Sequence, residues 1–274
     1  MQEPTAPTDS VVVVLSGGQD STTTLAWATD KFKVVHAVTF DYGQRHKVEI
    51  KAAKKIAKLY EVASHEIIEL PAGILGGTSP LVSNNDLEQY KDSNSLPGGV
   101  EKTFVPCRNQ LFLTLAANRA FILDCQNLVT GVCEEDYGGY PDCRQTFIDS
   151  LERTLNLGTF TGEDWVLGPI TIHTPLMNLT KAESIQLAID LGAYADLAFT
   201  HTSYDGQFPP TGHDHATLLR AKGFLEHGSP DPLVLRAWKL GLMELPETDN
   251  YSSTEVAIAL DALEGTYGEE WYNV

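Results

Sequence analysis

The residues with the clearest chemical potential stand together at positions 16–21, which read Ser-Gly-Gly-Gln-Asp-Ser. Two glycines between an apolar run and a predicted helix allow backbone N–H groups to surround an anion, and the helix dipole adds positive potential there. The stretch lacks the lysine of a Walker A loop and the third glycine of a dinucleotide-binding loop. Asp20 is a suitable ligand for Mg²⁺ beside bound phosphates. The stretch therefore predicts a phosphate-binding loop, and an ordinary glycine turn is the structural alternative.

The elements that must position this loop alternate along the first 200 residues. Predicted strands cover residues 11–15, 34–40, 65–70, 127–132 and 170–174. Predicted helices begin near Thr22, cover 47–60, 109–123 and 142–157, and follow the capping box of Thr180 and Glu183. The alternation predicts an α/β fold with a doubly wound parallel sheet. Its ligand is expected beyond the carboxyl ends of the strands, where the winding reverses.

Two segments depart from this alternation. Residues 201–274 have a mostly helical pattern, so we divide the chain into a predicted nucleotide domain at 1–200 and a helical region at 201–274. Residues 71–103 are rich in glycine, serine, asparagine and proline, which is typical of a long loop. One interpretation of this loop is a lid over the ligand site.

Composition excludes several classes of function. The 274 residues carry a formal net charge of −18, which repels phosphate backbones and argues against nucleic acid as a partner. No apolar run approaches the ~20 residues that cross a bilayer, so no membrane segment is predicted. The beginning of the sequence lacks the pattern of a signal peptide, and the four cysteines show no CxxC spacing. We therefore expect a cytoplasmic protein that binds a small anionic ligand.

The sequence at 16–21 resembles the SGGxDS loop of the ATP-pyrophosphatase family, also called the PP-loop family. The resemblance implies the adenine nucleotide alpha hydrolase type of sheet, with ATP and Mg²⁺ as cofactors. It also implies cleavage of ATP between the α and β phosphates, leaving AMP on a substrate oxygen. The ATP-binding residues would be Leu15, Ser16, Gly17, Gly18, Gln19, Asp20, Ser21, Phe40 and Gly131. The catalytic residues would be Ser16, Asp20, Ser21, Lys181 and Arg108.

Further blocks of sequence narrow the resemblance. They lie at residues 39–46, 103–109, 131–134, 139–144, 174–176 and 181–183. In this order they resemble the 7-cyano-7-deazaguanine synthase family, QueC, of the queuosine pathway, over residues 11–200. The resemblance implies that the carboxylate of 7-carboxy-7-deazaguanine is adenylated, aminated to an amide, and then activated again and dehydrated to a nitrile. A homodimer is also implied by the resemblance.

The chemistry of the substrate assigns provisional roles within these blocks. Glu134 or Asp142 can accept both donors of a guanine-like edge, and Tyr140 can stack on the base. Arg108 and Arg144 can neutralise a carboxylate or phosphate charge, although both have structural ion pairing as an alternative. Lys181 can act on the triphosphate as a point charge, or can be a solvated member of the capping box. The full set of predicted substrate-binding residues is Tyr42, Gln44, Arg108, Asn109, Glu134, Tyr140, Asp142 and Arg144.

The sequence departs from the family pattern after residue 200. QueC family members carry a four-cysteine zinc site there, and the matching positions here are Ser203, Thr211, Asp214 and Thr217. Neutral hydroxyl groups are poor zinc ligands, so no structural zinc is expected. The alternative is a rebuilt metal site that uses His201, His213, Asp214 and His215. In lacking the zinc ligands, the sequence resembles the QueC-like proteins of type IV CBASS antiphage operons.

Three hypotheses for function follow. The first is a ligase that conjugates the activated deazaguanine to an amino group of a partner protein in antiphage defence, for which the resemblance implies a CBASS nucleotidyltransferase. The second is the housekeeping nitrile synthase, which uses ammonia. The third is a subunit without catalytic activity that binds a nucleotide or deazapurine. Product mass separates the first two, and an absence of turnover would favour the third.

Overall fold

A five-stranded parallel sheet organises the protein. The computed structural model describes residues 9–44, 47–71, 73–83, 85–96, 99–134, 139–159 and 168–273. The strands are β1 (Ser10–Val14), β2 (Val34–Asp41), β3 (Ser64–Glu69), β4 (Asn127–Val129) and β5 (Thr171–His173). They lie in the order β3-β2-β1-β4-β5, and all neighbouring pairs are parallel. The prediction of a parallel α/β sheet is confirmed.

Helices cover both faces of this sheet. They are α1 (Gln19–Lys31), α2 (Val48–Leu59), α3 (Arg108–Ile122), α4 (Gln145–Thr159), α5 (Lys181–Asp190), α6 (His215–His227), α7 (Pro232–Lys239) and α8 (Ser253–Tyr267). Side chains alternate along β1, so Val11 and Val13 pack on the face with α1 and α2, and Val12 packs on the face with α3 and α4. Because both faces are covered, all three valines are fully buried.

Three element boundaries differ from the predictions by three residues. Helix α1 begins at Gln19 rather than near Thr22, because Gly18 is the N-cap residue and the last part of the phosphate-binding sequence forms the first helical turn. Strand β4 ends at Val129 rather than at residue 132. Gly131, just after the strand, lies close to the backbone of α1. Helix α4 begins at Gln145, after a short 3₁₀ turn at Pro141–Cys143. The predicted capping box of Thr180 and Glu183 is present at α5.

The C-terminal helices are part of the same hydrophobic core as the sheet. Leu235 of α7, Leu263 of α8 and Trp271 belong to the cluster that contains Val11 and Leu25. This face of the sheet is therefore covered partly by residues near the end of the chain. Among the helices that the structure describes, none is long and apolar enough to span a membrane.

Candidate active site

The phosphate-binding sequence lies at the carboxyl end of β1, where the winding of the sheet reverses between β1 and β4. Gly17 has a φ of 86°, and a Cβ placed on it would lie 2.6 Å from the backbone nitrogen of Ala53 in α2. Only glycine therefore fits this turn. The hydroxyl of Ser21 accepts from the backbone N–H of Gly17 at 3.1 Å and from the hydroxyl of Ser16 at 3.0 Å. These bonds hold the loop in one conformation.

The start of α1 has the properties of an anion site. The first N–H groups of a helix have no partner inside the helix, and Gly18 supplies no side-chain cap. The side-chain nitrogen of Gln19 and the Oδ1 oxygen of Asp20 are buried and make no hydrogen bond. Buried donors and acceptors without partners are energetically costly. A bound phosphate would accept from the nitrogen of Gln19, and its cation would bind the oxygen of Asp20. The residues present therefore fit a magnesium–nucleotide complex.

Lys181 approaches this helix start from the first turn of α5. Its Nζ atom donates to Oδ2 of Asp20 at 2.6 Å, and the two side chains are 13% and 27% exposed. Both line a cavity of about 190 Å³, the loop cavity, together with Ser16 and Ser21. The structure thus places Lys181 within the predicted site and not on the solvated surface of the capping box. It brings a fixed positive charge to the phosphate loop.

A second space, the central cavity of about 300 Å³, opens beside the same loop. Leu15, Phe40 and Gly131 line it, and the ring of Phe40 stacks on Phe112 with centroids 4.3 Å apart. A Cβ on Gly131 would lie 3.1 Å from the backbone of Asp20, so glycine allows this strand end to pass close to α1. The predicted ATP-binding residues that lie apart in sequence therefore meet around one cavity.

Arg108 lies on the wall of the central cavity, at the start of α3. The preceding residue, Cys107, has a left-handed φ of 63° and is the N-cap of the helix. The guanidinium group of Arg108 contacts the phenol of Tyr42 and faces Tyr140 and Tyr204. The phenols of Tyr42, Tyr140 and Tyr204 surround Arg108, and its charge also acts on the carboxyl groups of Glu49 and Asp142.

A third space, the outer cavity of about 320 Å³, lies next to the central cavity. Glu134, Tyr140 and Arg144 line it, and Tyr140 lines the central and loop cavities as well. The ring of Tyr140 stacks on Phe104, and its hydroxyl lies 2.6 Å from Oγ1 of Thr103. Tyr140 is therefore the residue that joins the three spaces.

Two predicted substrate-binding residues, Asn109 and Asp142, have structural contacts behind these cavities. The Asn109 side chain lines the central cavity and donates to the backbone oxygen of Asp142 at 3.3 Å. The carboxyl group of Asp142 is buried, and burial raises its pKa. Glu134 and Asp142 were the two candidates to bind the edge of the guanine-like ring, and of these Glu134 lines the outer cavity.

The side chain of Gln44, a predicted substrate-binding residue, makes hydrogen bonds within the protein. Its side chain accepts from the backbone N–H of Tyr42 at 2.9 Å and donates to Phe40 and to Glu49, so its polar atoms are engaged inside the protein. Gln44 still lines a small cavity of about 80 Å³, the tail cavity, with Tyr42 and Tyr204. Its contacts make it a support for the residues beside it.

Sequence reasoning missed Glu49 and Tyr204 as site residues. Both line the loop, central and tail cavities. Glu49 is in the first turn of α2, directly after a block at a strand end, and that position was a usable signal. Tyr204 comes from the segment after residue 200, and nothing local indicates that it returns to the sheet.

The predicted lid segment contains residues 72, 84, 97 and 98, which lie outside the described part of the chain. Elsewhere in this segment Leu75 and Leu81 pack into the core beside α3, and Leu81 lines the tail cavity. The hydroxyl of Tyr90 donates to Glu101 at 2.6 Å. Leu81 therefore forms part of the wall of the site, and closure of this segment over a ligand stays a prediction.

The sequence of this chain matches that of a known protein family. The sequence profile of the family described as "Queuosine biosynthesis protein QueC" matches residues 10–228. The chain belongs to the QueC family. It is 49% identical over 231 residues to the 7-cyano-7-deazaguanine synthase of Gloeobacter violaceus, covering 83% of this chain and 95% of that protein. It is 47% identical over 234 residues to the synthase of the same name from Chromobacterium violaceum, covering 84% and 95%.

Among solved structures, an NH₃-dependent NAD synthetase from Campylobacter jejuni has a TM-score of 0.42 and 15% identity to this chain. The comparison covers 98% of this chain and 89% of the other.

The QueC family match ends at residue 228, so α7 and α8 lie beyond it.

In this QueC family member, three of the four positions that were predicted to match zinc ligands form a hydrogen-bonded cluster. Asp214 accepts from the hydroxyl of Ser203 at 2.9 Å and from the hydroxyl of Thr217 at 2.8 Å. All three side chains are buried, and Asp214 also caps α6. The fourth position, Thr211, does not take part in these bonds. A carboxylate that accepts several donors thus ties this segment together.

The alternative metal site is not assembled in the described structure. No group of three or more histidine, cysteine, aspartate or glutamate side chains there is arranged to hold a metal ion. His201 instead faces the backbone oxygen of Ser203 at 2.8 Å and lines the loop and tail cavities. The backbone N–H of His213 donates to Gln89. Burial lowers the pKa of His201.

Proposed function

We propose that this protein uses ATP to adenylate the carboxylate of 7-carboxy-7-deazaguanine and then transfers the activated acyl group to an amine. The observation that carries the proposal is that three cavities join at Tyr140, and that residues of the phosphate loop line two of them. The loop and central cavities suit a nucleotide, and the outer cavity with Glu134 and Tyr140 suits a flat base with donors on its edge.

The described residues supply charge and position for this reaction. Arg108 and Lys181 bring positive charge to the central and loop cavities, where the carboxylate and the α phosphate would meet. Asp20, with the oxygens of the triphosphate, would hold Mg²⁺, which neutralises phosphate charge when bound. Most of the rate would then come from orientation and electrostatic stabilisation, without a covalent bond to the protein.

For the acceptor, we propose an amino group of a partner protein, with a CBASS nucleotidyltransferase as the candidate in antiphage defence. The support is the altered C-terminal part of the chain. The zinc-ligand positions carry a hydrogen-bonded cluster instead of cysteines, and α7 and α8 extend the chain beyond the family match. We also propose that the protein acts as a homodimer.

A specific observation favours a second candidate, the ammonia-dependent nitrile synthase. The chain matches 95% of the length of relatives that bear the name 7-cyano-7-deazaguanine synthase, at 49% and 47% identity. On this alternative the same adenylate is formed and ammonia is the acceptor in place of a protein amine.

The test is to incubate the protein with ATP, Mg²⁺ and 7-carboxy-7-deazaguanine, with either ammonia or the candidate partner, and to measure pyrophosphate and product masses. A partner protein heavier by one deazaguanine acyl group supports the ligase. A nitrile formed with ammonia alone supports the second candidate and contradicts the first. Absence of pyrophosphate in every mixture contradicts both and leaves a binding subunit.

A further inference from the structure

Glu49 lies at the point where the cavities around the phosphate loop meet. It is in the first turn of α2, and it lines the loop cavity with Lys181, the central cavity with Arg108 and the tail cavity with Tyr204. The backbone of Glu49 also adjoins Gly17 of the phosphate loop. An acyl group activated at this loop would therefore react beside the carboxyl group of Glu49.

One oxygen of this carboxyl group is fixed and the other is available. Oε1 accepts from the side-chain nitrogen of Gln44 at 3.0 Å, and Gln44 is itself held by the backbone of Tyr42 and Phe40. Within the described parts of the chain, Oε2 has no hydrogen-bond partner and Glu49 forms no ion pair. The carboxyl group is thus oriented from one side and open toward the cavities on the other.

The surroundings of Glu49 suit a group that takes and releases a proton. Burial raises the pKa of Glu49, the hydrogen bond from Gln44 and the charge of Arg108 oppose this shift, and Asp41 at the end of β2 adds to it. The net shift is upward, which makes the carboxylate a stronger base than an exposed glutamate. The other charged or titratable groups that line the same cavities are Asp20, Lys181, Arg220, His201, His215, Tyr42, Tyr140, Tyr204, Cys133 and Cys143.

We propose that Glu49 is the general base that removes a proton from the incoming amine. The lone pair of the amine forms the bond to the carbonyl carbon, the bond from that carbon to the AMP oxygen breaks, and AMP leaves with the electron pair. One proton passes from the nitrogen to Oε2 of Glu49 and later to water. This inference rests on the adenylate chemistry proposed above, and it concerns the second half of that reaction.

Two other groups near the loop are less suited to this step. The carboxylate of Asp20 accepts from Lys181 at 2.6 Å, which stabilises its charged form and weakens it as a base. The Nε2 atom of His201 lies 2.8 Å from a backbone oxygen and therefore carries its proton there. His201 is the direct competitor, since its other ring nitrogen can accept a proton.

The experiment separates the two half-reactions in the Glu49→Gln variant. Adenylation is measured as exchange of pyrophosphate into ATP with 7-carboxy-7-deazaguanine, and amide formation is measured with ammonium chloride over a range of pH. We expect exchange to stay within about 2-fold of the wild type. We expect amide formation to fall by about 10²-fold, which is typical for loss of a general base. When the rate is expressed per concentration of free ammonia, which itself increases with pH, the limb of the pH profile that rises with pH should also disappear.

Glu61→Gln is the matched control, because Glu61 is exposed and lies just beyond the C-terminal end of the same helix. It should leave both half-reactions unchanged. Hydroxylamine provides a second measurement, since a less basic amine gives up its proton more readily and should partly restore amide formation by Glu49→Gln.

Several outcomes would overturn the inference. Amide formation at the wild-type rate in Glu49→Gln contradicts it directly. An equal loss of exchange and amide formation, with no restoration by hydroxylamine, indicates that Glu49 only supports the phosphate loop. Loss of the rising pH limb in His201→Gln and its retention in Glu49→Gln assigns the proton to His201. If the wild type itself shows no pyrophosphate exchange, the proposed adenylation is contradicted, and with it the role of Glu49 as general base.

Discussion

The guanidinium group of Arg220 donates to both carboxylate oxygens of Asp231, through Nε at 2.6 Å and Nη2 at 2.7 Å. Arg220 is on α6, within the region matched by the QueC family, and Asp231 is the N-cap of α7, beyond that region. The two side chains are 4% and 5% exposed. The pair therefore joins the C-terminal helices to the rest of the protein inside the core.

Removal of this carboxylate should destabilise the fold. In Asp231→Ala the buried charge of Arg220 loses its partner, and we expect the free energy of unfolding to fall by about 3–5 kcal/mol. Denaturant unfolding measures the change. Glu264→Gln is the control, because its ion pair with Lys239 is 3.8 Å long and partly exposed, and its loss should cost less than about 1 kcal/mol. Equal effects of the two variants would contradict the structural role of Asp231.

Lys181 should act on catalysis much more than on stability. In Lys181→Met the positive charge beside Asp20 is lost, and we expect pyrophosphate exchange to fall by about 10²- to 10³-fold. The melting temperature should change little, because α5 keeps its capping box of Thr180 and Glu183. Lys31→Met, at the opposite end of α1, is the control and should exchange at the wild-type rate. Normal exchange in Lys181→Met would place this lysine outside the reaction.

The fold should depend on Asp214 and not on a metal ion. In Asp214→Ala the hydroxyl of Thr217 loses its acceptor, the hydroxyl of Ser203 keeps only Asp205, and α6 loses its cap, so we expect a loss of about 3 kcal/mol in the free energy of unfolding. The exposed Asp261→Ala should change it by less than about 0.5 kcal/mol. Excess EDTA should leave the melting temperature of the wild type unchanged while stopping pyrophosphate release, because ATP needs Mg²⁺. A lower melting temperature in EDTA would mean that a structural metal is present.

Asp196 should make stability depend on pH. Its carboxyl group accepts from the hydroxyl groups of Tyr60 and Tyr267, and burial raises its pKa in the folded protein. A carboxyl group with a raised folded pKa binds its proton more tightly in the folded state. Its stabilising contribution is therefore complete below the usual pKa of an aspartate and is lost as pH rises through the folded pKa.

The measurement compares Asp196→Asn with the wild type from about pH 4 to about pH 8. Asparagine stays neutral, so the stability of the wild type relative to this variant should decrease as pH rises. The comparison removes the contribution of the histidines, which are common to both proteins. Asp261→Asn should follow the wild type at every pH. A constant difference between Asp196→Asn and the wild type would show that Asp196 has an ordinary pKa.

Several features of the fold and site were predictable because they are local. The buried run before residue 16, the glycine turn and the following helix occupy one continuous stretch, so the loop and its place at a strand end follow from the order of residues. The capping box at α5 is equally local, since Thr180 and Glu183 are three residues apart. The start of α1 was misplaced because the first helical turn consists of loop residues with low apolar content.

Other features depended on contacts between distant segments. Lys181 and Asp20 are 161 positions apart, and their 2.6 Å contact exists only because α5 and α1 pack on the same side of the sheet. Gln44 has the residue type of a substrate ligand, but packing turns its amide toward Glu49 and the backbone. The cluster around Asp214 likewise requires a loop to return to the start of α6.

The sequence by itself determined a parallel α/β sheet with a phosphate-binding loop, because periodicity, glycine placement and helix caps act over a few residues. The tertiary structure decided which side chains share a cavity, placing Glu49, Tyr140 and Tyr204 together and engaging Gln44 elsewhere. It also decided that the C-terminal helices complete the core. The physical reason is that burial and long-range hydrogen bonds depend on how whole faces pack, and no local pattern specifies their partners.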